Sequence, residues 1–453
     1  MKRYGAIIAL LIGCSSESGG TDPTMRDMAT ASDMSTPTGG LEFDFEIIDG
    51  LGTASEVGDL ATARVDSDGL PSVAYGFLEQ VNQTDFLRTI RFAQRSSDGT
   101  WSIETVVEPG QNEPDDETDL LLRGQGLGFD FVSGEPVVAY LGGDDDAPPP
   151  DPADGASDLM VSERSNGVWN ERLIANDSNR GEDCSALGIQ NYCVQGTVVG
   201  FHPALASVGS GFAVAFRDQH FNFADEDFRR ADLELIREGP SPLETAVDIA
   251  RSGGLFNSIT RFSGFRVAVA YYLDEPPEDL DNLGIWVAVE GTDGNFTLTQ
   301  VDSVSTVHRT SIATNPIDGT LWLAYFDRDN EDLVVANSDD EGATWTVERV
   351  SEGGSTGLYP SVGFDGQGRV VVAHTFCGPA GDLDCPGGLT DQSEVRIARL
   401  ESTGWETYMV DDGQGQGFVG EHNGLVVFGP DQRLGVVFRD VRNNDLLFSL
   451  EIP

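Results

Sequence analysis

From Leu41 onward the apolar positions fall into short β-branched runs separated by turns rich in Gly, Asp and Ser, and one run recurs. It reads PSVAYGF at Pro71, PVVAYLG at Pro136, FAVAFRD at Phe212, RVAVAYYLD at Arg266, LWLAYFD at Leu321, RVVVAHTF at Arg369 and LGVVFRD at Leu434. Aligned on Ala74, Ala139, Ala215, Ala270, Ala324, Ala373 and Val437, the copies are 65, 76, 55, 54, 49 and 64 residues apart. Constant strands at variable spacing mean one fixed unit with loop insertions. A strand and a tight turn precede each copy, as in ATARVDSDG before Pro71 and SVGFDGQG before Arg369, which is a hairpin signal. A third strand, a Gly-rich turn and a fourth strand opening on a large residue follow, as in RFAQRSSDGTWSIETVV and LVVANSDDEGATWTVERV. Four antiparallel strands per unit and seven units predict an all-β chain folded as a seven-bladed β-propeller. The last unit stops after three strands, so LEFDFEIID, residues 41–49, is expected to complete it, with Phe45 in the place of Trp101 or Trp345.

The first residues follow a different pattern. Lys2 and Arg3 precede a short apolar run from Gly5 to Gly13, which is the form of a signal peptide and falls well short of the ~20 residues that span a bilayer. Leu11-Ile12-Gly13-Cys14 resembles the bacterial lipobox. The resemblance implies a leader over residues 1–13, a lipid on Cys14, and an exported protein anchored to the cell envelope, at the outer membrane or cell surface; an ordinary secretory signal is the alternative. Residues 14–40 are then the lipidated cysteine and a flexible tether of Ser, Thr, Gly and Asp, and 41–453 the propeller.

Net charge narrows the partners. At −49, with Lys2 the only lysine, the chain excludes Schiff-base chemistry and disfavours nucleic acid, whose phosphates it would repel. Cys184 with Cys193, and Cys377 with Cys385, each lie within one loop segment, and export favours two local disulfides; a zinc site at Cys184, Cys193 and His202 matches no standard spacing. The acidic segments at Gly143, Glu113 and Asp274 lack the ordered ligand spacing of a dedicated calcium loop. No cofactor is required, and weak calcium binding between loops stays open.

Ser338 to Trp345 reads SDDEGATW and matches the Asp-box of sialidase-like propellers at Ser338, Asp340, Gly342, Thr344 and Trp345, with degraded copies at Ser96, Ser165 and Thr292. The resemblance implies a fold, because the box is a structural turn. Sialidases use three arginines, a Tyr-Glu pair, an acidic proton donor and an early Phe/Tyr-Arg-Ile-Pro motif; that motif is missing here, and no catalytic residue is carried over.

In a propeller the short turns lie on one face. The long insertions lie on the other, and they are the natural place for a ligand. The five histidines map to that insertion face: His202, His308 and His422 just before innermost strands, His220 and His374 at the ends of second strands. Unit alignment places His202, Phe256, Arg309, Tyr359 and His422 around the mouth of the axial channel. His202, Arg309, Tyr359, His422, His374 and Arg217 are therefore the ligand-binding candidates, with solvated strand-end histidines as the plainer account. Arg217-Asp218 and Arg439-Asp440 also read as a repeated ion pair within a blade. The expected function is a monomeric envelope protein binding a glycan or protein on the long-loop face, touching the membrane only through its lipid. The alternative is a sialidase-like or other glycan-processing hydrolase or lyase at the channel mouth, which needs convergent carboxylates.

Overall fold

The computed structural model describes residues 40–50, 56–80, 86–107, 126–142, 158–175, 198–220, 230–238, 247–251, 253–273, 283–351, 354–378, 393–413 and 418–452. They form seven four-stranded antiparallel sheets, the blades of the propeller. In blades 1 to 6 the strands are consecutive in the chain, beginning with the innermost, and blade 7 is completed from the other end. There Phe43–Asp49 pairs with Asp445–Glu451, Phe43 opposite Glu451 and Ile47 opposite Leu447. Cys14, Cys184, Cys193, Cys385 and most of the insertion loops lie outside the described residues.

Each blade is sandwiched between two others, so its second strand is covered on both faces and reads as a continuous apolar run instead of an alternating one. Val370–Phe376 is buried at every position, and Glu135–Gly142 at all but its first. That is why the second strand is the element that recurs visibly in the sequence. Tyr75, Tyr140, Phe216, Tyr271, Tyr325, His374 and Phe438 occupy one equivalent position in the seven blades, each no more than 1 % exposed. Three of the tyrosines satisfy their buried hydroxyls by donating to Asp49, Glu171 and Asp302 at 2.8, 2.9 and 2.6 Å.

Outer strands lock one blade to the next. Trp101 meets Phe448 of blade 7 edge to face at 5.5 Å, and Trp169 meets Phe92 of blade 1 in the same way at 5.5 Å. Glu46 accepts both nitrogens of the Arg95 fork at 2.8 and 2.7 Å and the Trp101 indole N–H at 2.9 Å. Glu104 does the same for Arg164, at 2.8 and 2.7 Å, and for Trp169 at 3.0 Å. The bidentate geometry explains why arginine serves here, since lysine offers a point charge and no fork. In the closing strand it is Phe43, not Phe45, that packs against the preceding blade: Phe43 covers the blade 6–7 core while Phe45 is 46 % exposed. The strand pairs two residues further along than the sequence pattern predicts, because Phe43 stands opposite Glu451 near the end of its partner, as Trp101 stands opposite Arg95.

The Ser338–Trp345 turn is held from within. Gly342 N–H donates to Ser338 Oγ at 2.8 Å, and Asp340 accepts from Ser338 Oγ, Thr344 N–H and Thr344 Oγ1 at 2.8, 2.8 and 2.6 Å. Those bonds, Thr344's foremost, hold the Asp340 carboxyl down at about 2. Asp98 does the same work with Ser96 and Thr100 and is likewise held at about 2, chiefly by Ser96.

Close approach at the inner strands depends on glycine. Gly58, Gly200, Gly254, Gly357 and Gly420 stand at equivalent positions with φ of 91°, 118°, 97°, 101° and 94°, and a Cβ on Gly357 would lie 2.6 Å from Leu333 Cα in the preceding blade. Gly357→Ala is expected to destabilise the fold by about 3 kcal/mol or more, from backbone clash added to a left-handed φ. Gly134→Ala, with φ 88° and open space around it, should cost about 1 kcal/mol; urea unfolding of the two variants checks the difference.

Candidate functional site

Seven inner strands surround the axis: Glu56–Val65, Gly128–Val132, Val198–Val208, Leu255–Phe262, Ser311–Thr314, Thr356–Phe364 and Val419–Phe428. Their inner edges leave backbone groups without a sheet neighbour, and polar side chains tie them blade to blade. Thr62 Oγ1 donates to Leu127 O at 3.0 Å, Val362 N–H to Ser311 Oγ at 3.0 Å, Leu425 N–H to Ser361 Oγ at 3.0 Å and Ser207 N–H to Asp130 at 2.7 Å. Asn257 and Asn423 reach the carbonyls of His202 and Tyr359 at 3.2 and 3.1 Å.

In five blades the inner strand carries a bulge, two residues facing one. Leu60-Ala61, His202-Pro203, Phe256-Asn257, Tyr359-Pro360 and His422-Asn423 stand opposite Tyr75, Phe216, Tyr271, His374 and Phe438. The first residue of each pair is left-handed, with φ of 54°, 50°, 55°, 48° and 53°. A side chain larger than glycine pays of order 1 kcal/mol or more for that conformation, so the ring is held by the fold around it. By register Gly126 and Arg309 take the same place in blades 2 and 5. His202 and His422 thus lie inside their strands rather than before them, because the strand resumes beyond the bulge. Leu60 and Gly126, which the sequence alignment omits, complete the ring. The Gly-x-large spacing of Gly58-Asp59-Leu60 and its copies is the signal that marks it.

Above the axis these residues make a crown. His308 packs at a tilt of 39° against Tyr359 with ring centres 4.1 Å apart, Tyr359 meets His422 at 5.1 Å, and His202 meets Phe256 at 5.1 Å. His422 Nε2 lies 3.0 Å from Asp59 Oδ1. Tyr359 donates to Glu421 at 3.4 Å, and Glu421 accepts from Arg439 at 2.7 Å. Burial foremost, then the Glu421 and Asp59 charges, raise the Tyr359 phenol well above its ordinary value. His308 is held down at about 3 by burial and then by the charges of His422 and Arg328.

Arg309 crosses the axis as a bolt. Its Nε donates to Asn257 O at 2.9 Å, Nη1 to Leu127 O and Thr62 Oγ1 at 3.1 and 3.2 Å, and Nη2 to Pro203 O at 3.4 Å, so one side chain from blade 5 holds blades 1 to 4. A cavity of about 850 Å³ runs along the axis, its wall including Leu60, Phe256, Arg309, Tyr359 and His422.

The remaining candidates stand apart. His374 is fully buried in the core ring, its Nδ1 3.4 Å from Thr356 Oγ1. Arg217 is 5 % exposed within Gly211–His220, in the register position that Arg439 holds in blade 7. Arg439 and Asp440 do not pair with each other. Arg439 bridges Glu421 and Glu56 across blades 7 and 1, while Asp440 caps the following turn through Arg442 and Asn443. Among the described residues no group of three or more His, Cys, Asp or Glu side chains is arranged to hold a metal ion.

No protein-family model matches the chain, and no curated protein matches it. Among solved structures it is similar to the phage phi92 endosialidase, at 11 % identity over 91 % of this chain and 69 % of that one, TM-score 0.46. It is also similar to the leech intramolecular trans-sialidase, at 15 % over 89 % and 69 %, TM-score 0.42, and to AofleA from Arthrobotrys oligospora, at 13 % over 83 % and 92 %, TM-score 0.42. These likenesses concern the fold alone.

His374 sets an acid limit on the fold. Burial, and then the Arg396 charge, depress its pKa to about 3, so the unfolded chain binds a proton between pH 6.5 and 3 that the native state refuses. Its contribution is present above pH 6.5 and falls by about 1.4 kcal/mol per pH unit on the way down to about pH 3. His374→Phe, which installs the residue used at Phe216 and Phe438, should flatten that part of the stability profile, measured by urea midpoints at pH 5 and pH 7.5.

Proposed function

We propose that the chain is a monomeric exported lipoprotein, anchored through Cys14 to the cell envelope, that binds a glycan or protein ligand at the crown and the insertion loops around it. One observation carries this reading: Phe256, Tyr359 and His422 line the axial cavity at one level on left-handed bulges that the fold must hold in place, with His202, on the equivalent bulge, buried against Phe256. Aromatic faces beside carboxylates suit a ligand with apolar C–H faces and hydroxyl donors.

Glycan processing at the same place is the second reading, and the Tyr359–Glu421 contact is what favours it. The electrostatics favour binding. A tyrosine nucleophile needs a lowered pKa, and Tyr359 has a raised one. The crown carboxylates are also occupied, Asp59 by His422 and Glu421 by Arg439.

Two loop disulfides, Cys184 with Cys193 and Cys377 with Cys385, and solvated acidic loops with at most weak calcium affinity belong to the same reading, as does the absence of a nucleic-acid partner. The closing strand begins on the turn face, since Phe43 pairs at the end of Asp445–Glu451 and Glu42 O accepts from Ile452 N–H at 2.8 Å. A tether of residues 14–40, reaching about 25 to 30 Å on average, would leave the crown turned away from the membrane.

The purified chain, screened on a glycan array and against chromogenic glycosides and polysaccharides, is expected to bind without turnover. The pair Tyr359→Ala and His422→Ala should weaken binding at least about tenfold. Turnover of any substrate that the same pair abolishes would replace the binding reading with the enzymatic one.

A further inference from the structure

The arginines of this chain divide into two groups. Arg91, Arg95, Arg164, Arg237, Arg369 and Arg439 are among many that hold a carboxylate. Arg64, Arg261 and Arg309 line the axial cavity, and none of the three has a carboxylate partner among the described residues. Arg64 donates to its neighbouring carbonyl, Ala63 O, at 2.9 Å. Arg309 is bonded only to carbonyls and one hydroxyl, and those contacts leave one Nη2 hydrogen unassigned. In a chain of net charge −49, three guanidinium groups on one cavity wall with no ion pair to a described carboxylate need a reason. Arg64 and Arg309 are half-buried and Arg261 is exposed at the rim, and a cation drawn even partly out of water without an anion is costly.

Arg64 and Arg261 lie away from the crown, and Arg309 belongs to both parts of the cavity. Arg309 crosses the axis at the level of Thr62, Leu127, Pro203 and Asn257, just past the ring of bulges. From there the cavity wall continues along the inner strands to Asp66, Ser67 and Gly134, at the hairpin turns of the opposite face. Arg64 and Arg261 belong to this second part, near the ends of Glu56–Val65 and Leu255–Phe262. Two carboxylates share the wall, and both are engaged by amides. Asp66 accepts from Asp68 N–H, Leu70 N–H and Gln94 Nε2, and Asp130 from Phe131 N–H and Ser207 N–H.

We propose that the turn-face half of the axial channel is a chamber for a small oxyanion, a carboxylate or phosphoryl group, held between Arg309 and Arg64 with Arg261 at the rim. The site is independent of what the crown binds. Burial, and then the Arg64 charge, lower the Arg309 pKa to about 10, in keeping with two cations that share a space without an anion between them. The guanidinium fork matches the paired oxygens of either group. Asp66 and Asp130 near the turns would keep out multiply charged ligands that extend toward them.

Isothermal titration of the purified full chain with sodium phosphate, sulfate and acetate, against chloride at matched ionic strength, tests this. Saturable binding at one site is expected, weakened at least about tenfold in the double variant Arg64→Ala, Arg261→Ala and partly restored in the Lys, Lys pair. Arg433→Ala removes an arginine that lies over the Phe428 ring outside the chamber and should leave binding unchanged. Phosphate-displaceable binding to vesicles of anionic phospholipid, absent with phosphatidylcholine, would assign the anion to a lipid headgroup. Phosphate binding without vesicle binding would assign a soluble anion. Absence of saturable binding to every oxyanion, or binding that the double variant leaves intact in a normally melting protein, would overturn the chamber.

Discussion

A four-stranded blade with two apolar faces is stable only between two others, and this constraint governs the molecule. Seven such sheets must therefore close on themselves, and closure falls to Phe43–Asp49, which completes blade 7 against Asp445–Glu451. The same short strand supplies Glu46 to the Arg95 fork and the Trp101 indole, and Asp49 to the Tyr75 hydroxyl and to Arg91 at 2.7 Å. Blade 1 is thus built on groups from the far end of the ring, where a hydrophobic seam alone would leave those polar atoms unpaired. Pairing the first described strand with the last also gives blade 7 the same four strands as the others and ties the two ends of the ring together.

The candidate site is a by-product of this close packing. To bring seven strand edges around an axis, the inner strands of five blades each pass a glycine that touches the preceding blade and then bulge over the buried ring of their own second strand. The bulge turns the next side chain into the left-handed region at the channel. Position and backbone conformation are therefore common to the blades, and only the side chain differs: leucine, histidine, phenylalanine, tyrosine, histidine. What is particular to this chain is that choice, together with the arginine of blade 5, whose guanidinium takes carbonyls that the other strands would leave facing the cavity.

Much of the fold was legible because the second strand of each blade is buried on both faces and must be apolar throughout, giving a repeat that survives loops of any length. The register of the closing strand was harder. Phe43 and Phe45 alternate correctly for the same face, so periodicity cannot choose between them, and the choice is made by pairing with Glu451. In the site, alignment of units found five of seven ring positions and missed Leu60 and Gly126, which carry no chemistry that draws attention. His374 drew attention as a histidine, yet its place is that of a core tyrosine or phenylalanine. Arg64 and Arg261 were invisible as a pair because they belong to different blades, and only the curvature of the ring makes them neighbours of one cavity.

Arg309 has a consequence for traffic through the molecule. Because one side chain reaches into the axis and grips four other blades, whatever moves along the cavity between crown and turns must pass a guanidinium held by all four. Crown and turns share one cavity, and the Arg309 guanidinium is the group that both ends meet.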